Sequence, residues 1–337
     1  MVNMKPSLGA LLFLLTGSCG AQATGTMLPV ARWSHAASPS TEAFRARWGD
    51  GRAEVAAYRG VVSRYGATHD AEVVLIYVTE PLDRATLVKD DDAPADRRLD
   101  VLKLNFALRF QTGIYPYSVL TSVFAPVNDF GAERFSPAKI SFGEQDWCGG
   151  VFSSVWPDDD AFIERSHSYF ASEGDQDVRR PVAEGTLYED ALYIQLRELD
   201  GPFAGGAAWE GDIVPSLWRA RRDHTPLSSV HARITRTSRS DREVFVLQTD
   251  GAYERTFEVG HDADHPLLAF QSSDGDSFQL AGRDRLAYWE LHDPGEESFR
   301  AQLGLSRGLD IAPSSPASGT PAPDSNDAAL TPSTATP

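Results

Sequence analysis

The feature that most constrains this chain is a run at residues 101–110 in which large apolar side chains occupy every second position. The apolar members are Leu102, Leu104, Phe106, Leu108 and Phe110. A period of two places all five on one face of an extended strand, whereas a helix would spread them around its axis. The run therefore predicts a half-buried β-strand, which needs partner strands to form a sheet.

Extended runs recur along the chain. Residues 55–65 and 72–79 flank a Gly-Ala-Thr-His-Asp turn and predict an antiparallel hairpin. Further strands are predicted at residues 114–124, 139–142, 151–156, 191–199, 229–237, 243–249, 252–259, 267–271, 277–280 and 285–289. Gly251 and Gly275, each after an Asp, are expected to supply the positive φ angles of tight turns.

Helix signals are confined to residues 40–47, 162–172 and 215–222, and no alternation of strand and helix indicates a parallel sheet. The predicted fold class is mainly β: an antiparallel meander forming an open barrel or sandwich with a few short helices.

The first 18 residues have the layout of a lipoprotein signal peptide. Lys5 precedes an apolar run at residues 8–15 that is shorter than the roughly 20 residues a membrane span requires. Leu-Leu-Thr-Gly-Ser then leads to Cys19, which predicts cleavage and attachment of lipid, including palmitate, to that cysteine. The alternative is an ordinary signal peptide with a chance cysteine. Because Gly20 and not Asp follows, we expect an outer-membrane anchor facing the periplasm.

Composition divides the rest of the chain. Residues 19–41 are small and polar and predict a flexible tether, residues 42–311 predict a β-rich globular domain, and residues 312–337 predict a disordered tail rich in Pro, Ala, Ser and Thr. The formal net charge of -17 argues against nucleic acid as a partner, because it repels phosphate backbones.

Two short motifs carry candidate chemistry. His261 and His265, with two Asp between them, could hold a divalent metal, although a polar loop before Pro266 explains them equally well. Cys148 stands two residues after Asp146, whose charge disfavours a thiolate, so we expect a buried structural thiol. No cofactor is predicted.

Two further features of the sequence bear on catalysis and on anion binding. Ser-His-Ser at residues 166–168 cannot form a nucleophile and base pair, because adjacent side chains do not face each other. Arginines at positions 219, 221, 222, 233, 236, 239 and 242 could bind an anionic ligand or lipid head, or could lie on an exposed strand face.

Several motifs resemble an uncharacterised family of large bacterial lipoproteins. They are Val-Leu-Ile-Tyr-Val-Thr-Glu-Pro-Leu-Asp at residues 74–83, Thr-Gly-Ile-Tyr-Pro-Tyr-Ser at 112–118, Glu-Gln-Asp-Trp-Cys-Gly at 144–149 and Arg-Leu-Ala-Tyr-Trp at 285–289. Members are often labelled "septum formation inhibitor Maf", but the sequence lacks the signatures of the Maf nucleotide pyrophosphatases. The resemblance therefore implies an exported lipoprotein and no catalytic residue.

The leading functional hypothesis is a non-enzymatic, membrane-anchored binding or carrier protein for an apolar ligand, a lipid or an envelope partner. Tyr115, Tyr117 and Trp147 are the candidate pocket residues, with ordinary core as the alternative for them. The rival hypothesis is an envelope hydrolase that uses a residue such as His167 with a distant Ser or Asp. An open apolar cavity favours binding, and a filled interior with a polar cleft of His and carboxylates favours hydrolysis.

Overall fold

The structure, a computed structural model, describes residues 28–33, 40–128, 135–199 and 207–306 of the 337-residue chain. The strands are β1 (Ala53–Arg64), β2 (Ala67–Asp83), β3 (Val88–Lys89), β4 (Arg98–Thr112), β5 (Tyr115–Pro126), β6 (Lys139–Gln145), β7 (Gly150–Pro157), β8 (Ala161–Ser168), β9 (Gln176–Pro181), β10 (Leu187–Tyr188), β11 (Ala208–Val214), β12 (Val230–Ser238), β13 (Arg242–Thr249), β14 (Glu254–Gly260), β15 (Leu267–Ser272) and β16 (Ser277–Leu286). The helices are α1 (Glu42–Trp48), α2 (Leu192–Glu198), α3 (Leu217–Arg222) and α4 (Ser298–Gln302), with 3-10 turns at Val30–Trp33, Glu189–Ala191 and Tyr288–Glu290.

All strands join one sheet with the order β10-β11-β12-β13-β14-β15-β16-β1-β2-β4-β5-β6-β7-β8-β9, and β3 pairs with β2. Every pair is antiparallel except β10 with β11. Within the described residues no ladder joins β9 to β10, yet the rings of Phe162 on β8 and Tyr188 on β10 lie 6.3 Å apart. The sheet therefore curls into an open barrel, and the predicted fold class is confirmed.

Alternate turns of the sheet lie together at one end of the barrel. Because neighbouring strands run antiparallel, the turns after β1, β4, β6 and β8 lie at the same end, which we call the mouth. Tyr65 and Gly66, with φ of 54° and 76°, form the tight turn after β1. Gly275 has the expected positive φ, whereas in the turn after β13 Ala252 and not Gly251 adopts the left-handed conformation.

Helix α2 fills the barrel and corrects the prediction of a strand at residues 191–199. Nearly all its side chains are buried, because the helix is surrounded by the sheet. A helix that is buried on nearly all sides lacks the 3.6-residue alternation of apolar and polar side chains, so its sequence resembles that of a buried strand. The predicted helix at residues 162–172 is also wrong, because residues up to Ser168 belong to strand β8, and residues 288–290 form a 3-10 turn after β16.

Aromatic contacts show how completely the interior is packed. The ring of Tyr193 on α2 lies 5.4 Å from Phe106, 5.3 Å from Phe257 and 5.4 Å from Phe270, which come from opposite walls of the barrel. Among the described residues, these contacts fill the centre of the barrel around α2.

Helix α1 closes the end opposite the mouth. Thr41 caps it by accepting a hydrogen bond from the Phe44 amide, 3.2 Å away, and the buried Trp48 indole donates to Glu198 at 3.2 Å. Residues 30–33, within the predicted tether, also pack here, since Trp33 is buried with Leu82 and its neighbours. None of the helices in the described ranges has the length and apolarity of a bilayer-crossing segment.

Candidate functional site

A first cavity, of ≈ 300 Å³, lies at the mouth between α3 and the inner face of β6 to β9, and we call it the mouth pocket. Its apolar lining consists of Phe142, Val151, Leu217, Ala220, Pro226 and Leu227, and its polar lining of Ser153, Glu164, Ser166, Ser168, Ser172, Glu173, Gln176, Arg180, Arg221, His224 and Thr225. The mouth pocket is thus lined by both apolar and polar groups.

Most of its charges are neutralised in pairs. Arg180 donates to Glu164 at 2.5 Å, and Arg221 donates to the buried Glu144 at 2.9 Å. Burial raises the pKa of the Glu144 carboxyl, while Arg221 opposes that rise. The buried Ser153 hydroxyl has no hydrogen-bond partner among the described residues, so it is available to a polar ligand atom.

One carboxylate in the mouth pocket orients a histidine. Glu173 accepts hydrogen bonds from Ser168 Oγ at 2.5 Å and from His224 Nδ1 at 2.7 Å. Burial alone would raise the pKa of Glu173, but these hydrogen bonds hold it below its usual value. The arrangement fixes an imidazole as a base would require, yet in the described residues no serine hydroxyl bonds to that ring.

Two buried carboxylates hold α3 over the mouth pocket. Glu189 accepts a hydrogen bond from the Ser216 amide at 3.1 Å, and Asp190 accepts one from the Leu217 amide at 2.9 Å. Burial raises the pKa of Asp190 to about 7. Its ionisation is therefore linked to the placement of α3.

A second cavity, of ≈ 400 Å³, lies outside the barrel beneath the C-terminal part of the described chain, and we call it the cap pocket. Its floor is the outer face of β1, β2 and β4, with Val55, Val74, Ile76 and Ala107; its apolar walls are Leu286, Tyr288, Leu291, Phe299, Leu303 and Leu305. The volume lies within the range of small-molecule sites, and the lining is chiefly aliphatic and aromatic.

Glu72 fastens the segment that roofs the cap pocket. Its carboxylate accepts hydrogen bonds from the amide and hydroxyl of Ser306, both at 2.9 Å. Arg300 donates to the Ser306 carbonyl at 2.8 Å. Gly282 lets the roof approach closely, because a Cβ there would lie 2.7 Å from the Leu303 carbonyl oxygen. The roof is therefore a specifically attached element of the fold.

The charged residues of the cap pocket are nearly all engaged. Glu296 and Glu297 accept hydrogen bonds from backbone amides of their own turn, and His292 pairs with Asp293. Arg109 is exposed, and within the described ranges it forms no hydrogen bond or ion pair. In the part of the chain that the structure describes, it is a cation without a partner at the rim of an apolar cavity.

An open groove of ≈ 700 Å³ continues from the cap pocket across the outer face of β5 to β8, and we call it the outer groove. Cross-strand pairing puts one residue of each strand in a row, and directly paired residues share a face. The row is Ala57, Val74, Ala107, Leu120, Gly143 and Phe152. This apolar stripe runs from beneath the roof to the exposed side chains of Leu120 and Phe152.

The three aromatic candidates contact one another but do not enclose a pocket. Tyr117 is buried and stacks on Phe110 with ring centroids 4.6 Å apart. Tyr115 lies 5.7 Å from Tyr117 and 6.5 Å from Trp147. Trp147, 69% exposed in the turn after β6, borders the outer groove. Tyr117 is thus a core residue, and Trp147 alone of the three lines a concave surface.

The prediction of a buried Cys148 is wrong. Asp146 accepts hydrogen bonds from the amides of Cys148 and Gly149, which shapes a turn that leaves the thiol exposed at the mouth. Gly149 packs closely against Tyr169, since a Cβ at Gly149 would lie 2.5 Å from the Tyr169 ring. Cys19, the predicted lipid attachment site, lies outside the described residues.

The histidines singled out in the sequence lie apart from both cavities. His261 pairs with Glu243 at 3.1 Å, and the His265 carbonyl accepts a hydrogen bond from Arg197 at 2.8 Å. In the part of the chain that the structure describes, no group of three His, Cys, Asp or Glu is arranged to hold a metal. His167 lines the outer groove and pairs with Asp175 at 3.3 Å. Because successive side chains of β8 point to opposite faces of the sheet, Ser166 and Ser168 line the mouth pocket instead.

Several arginines of the basic cluster are ion-paired. Arg222 bonds to Asp223 and Asp274, and Arg242 bonds to Asp241 and Glu258. These charges serve the fold and do not form an open anion site.

The residues that sequence reasoning missed are those joined only by folding. His224 meets Glu173 across 51 positions of chain, and Arg109 shares a cavity with residues from the far end of the described chain. No local motif contains either arrangement, whereas the period-two pattern of β4 does place Arg109 on the outer face beside Ala107.

Comparison with known proteins adds a distant structural likeness. No family model matches the chain, and no curated protein matches it. A solved structure titled "Crystal Structure of Beta-barrel-like Protein of Domain of Unknown Function DUF1849 from Brucella abortus" is 7% identical, superposes with a TM-score of 0.42, and the match covers 74% of this chain and 100% of that chain.

Proposed function

We propose that this protein is a non-enzymatic binding protein of the bacterial cell envelope that holds an apolar, chain-like molecule in the cap pocket. The observation that carries the proposal is the aliphatic and aromatic lining of that cavity beneath an attached roof. Removing apolar surface from water contributes about 25 cal/mol per Å². A ligand in the cap pocket gains this free energy from its contact with the floor and again from its contact with the roof.

The site is placed outside the barrel because the interior is occupied. Barrels that carry ligands centrally leave a lumen between their walls, and here α2 fills that space. The proposal includes an outer-membrane anchor facing the periplasm through lipid on Cys19, supported by the signal pattern of residues 1–19. Neither a cofactor nor nucleic acid enters the proposal.

The test is native mass spectrometry of the full-length protein, released from bacterial envelopes without harsh extraction, followed by denaturing analysis of what it releases. The proposal expects a reproducible apolar adduct that Ala107→Trp removes by filling the cavity. Phe152→Ser is the matched control, since it changes the outer groove and leaves the cap pocket intact. An adduct-free protein that also fails to bind added apolar chains would reject the proposal.

A second candidate function, hydrolysis, is favoured by the filled barrel interior and by the pairing of Glu173 with His224 in the mouth pocket, the arrangement that the rival hypothesis expects. His224 also has a φ of 52°, a left-handed conformation that costs a non-glycine residue about 1–3 kcal/mol and recurs at functional sites. Binding fits the geometry better, because the ring lacks a hydroxyl partner and Ser168 bonds to the carboxylate instead.

Hydrolysis is tested with short nitrophenyl esters. If His224 is the base, His224→Asn lowers turnover by about 100-fold or more, and His167→Asn, on the outer groove, leaves it unchanged. Turnover by the wild-type protein no faster than the buffer rate, or equal loss in both variants, removes this candidate.

A further inference from the structure

The cap pocket has an apolar interior and a charged rim, and this difference restricts the class of ligand that it can bind. Its interior is apolar, and its charged rim residues are satisfied within the roof or by Glu72, with the exception of Arg109. A neutral hydrocarbon would leave this guanidinium without a partner. A ligand with one anionic group at the end of an apolar chain satisfies both parts of the site.

The position of Arg109 fits a head-group contact. It lies two residues after Ala107 on β4, so both side chains are on the outer face. Ala107 belongs to the pocket floor, and Arg109 is paired in register between Glu72 and Ser118 at the rim. Glu72 accepts hydrogen bonds from Ser306 and lies 3.9 Å from Arg300, and within the described residues no ion pair joins it to Arg109.

We propose that the cap pocket binds a free fatty acid, with the chain between the floor and the roof and the carboxylate at Arg109. This inference rests on the proposed binding function and adds the ligand class and the residue that recognises its head. The floor spans three neighbouring strands, β1, β2 and β4, which gives the chain an extended apolar surface to lie on.

The experiment titrates dodecanoate and its neutral counterpart 1-dodecanol, below their aggregation limits, into the full-length chain carrying Cys19→Ser, which removes the proposed lipid attachment. We expect one dodecanoate per chain, bound more tightly than 1-dodecanol. Arg109→Gln should weaken dodecanoate binding by about tenfold, leave 1-dodecanol unchanged, and be partly rescued by Arg109→Lys. Arg233 is exposed on β12, so Arg233→Gln is the matched control and should change neither affinity.

The outcomes separate the two levels of proposal. Equal binding of both probes with a silent Arg109→Gln overturns the fatty-acid inference and leaves the binding function standing. Failure of both probes to bind overturns the binding function as well. Lysophosphatidylglycerol that binds more tightly than dodecanoate through Arg109 would assign the site to a phospholipid and not to a free fatty acid. Loss of dodecanoate binding in Phe152→Ser, with folding intact, would place the chain in the outer groove and overturn the site.

Discussion

At the scale of single residues, this fold depends on charges that are buried with their partners. Arg197 on α2 pairs with Glu54 at 2.8 Å and donates to the carbonyls of Asp264 and His265, which ties the central helix to β1 and to the loop after β14. Asp190 differs, because within the described residues its buried carboxylate accepts a hydrogen bond from a backbone amide and from no cationic side chain. Its ionisation therefore opposes folding.

Replacing Asp190 with Asn should change the pH dependence of stability. The folded pKa of about 7 lies above the ordinary value of 3.8, so the folded protein binds the proton more tightly than the unfolded chain. Stability is therefore lost as pH rises from about 4 through about 7. Asn keeps an acceptor for the Leu217 amide without the charge. We expect Asp190→Asn to be more stable than wild type by about 1–4 kcal/mol near pH 8, and equal to it near pH 4.

Urea unfolding across that pH range measures the difference directly. The exposed Asp92→Asn removes the same charge from a solvated loop and should leave the pH profile unchanged. A constant offset between wild type and Asp190→Asn at every pH would show that the side chain acts through packing and not through its charge.

At the scale of elements, the sequence predicted the strands whose two faces differ. In β4, Leu104, Phe106 and Leu108 point into the barrel and the residues between them face outwards, so the pattern was plain. Residues 191–199 were misassigned because α2 is buried on all sides, which erases helical periodicity. The cap pocket could not be predicted, because its walls come from elements far apart in the chain whose juxtaposition depends on sheet order.

The ladder between β1 and β16 leads to a prediction at the scale of elements. Strand β1 approaches β16 so closely at Gly60 that a Cβ would lie 1.8 Å from the Ser277 carbonyl oxygen and 2.8 Å from Phe278 Cα. Both obstacles are backbone atoms, which cannot move without breaking the ladder. We expect Gly60→Ala to lower the free energy of unfolding by about 3 kcal/mol or more, measured by urea denaturation.

Gly143 on β6 is the matched control, because a Cβ there meets no atom within 4 Å. Gly143→Ala should be neutral or stabilising by up to about 1 kcal/mol, since it restricts the unfolded chain. Equal stability of the two variants would mean that β1 and β16 are not paired as closely as the register implies.

At the scale of the whole molecule, one sheet contributes strands to both pockets and to the outer groove. The two meanders, β1 to β9 and β10 to β16, meet at the β1–β16 ladder, and the free edges are β9 and β10. The cap pocket lies over the central strands, and the mouth pocket lies towards the β9 edge. The rigid centre therefore forms the floor of the cap pocket, whereas its roof is a short segment that can open without disturbing the ladders.

The contrast between the rigid floor and the roof predicts where a bound fatty acid changes local stability. Hydrogen exchange should be slowest in β1, β2 and β4, which have partners on both sides, and faster in the roof at residues 287–306. Dodecanoate should slow exchange in the roof, because opening it would expose the ligand to water, and should leave residues 217–227 around the mouth pocket unchanged. Arg109→Gln should reduce that protection at a fixed ligand concentration. Protection that appears at the mouth instead would transfer the binding site to the cleft formed by Glu173 and His224.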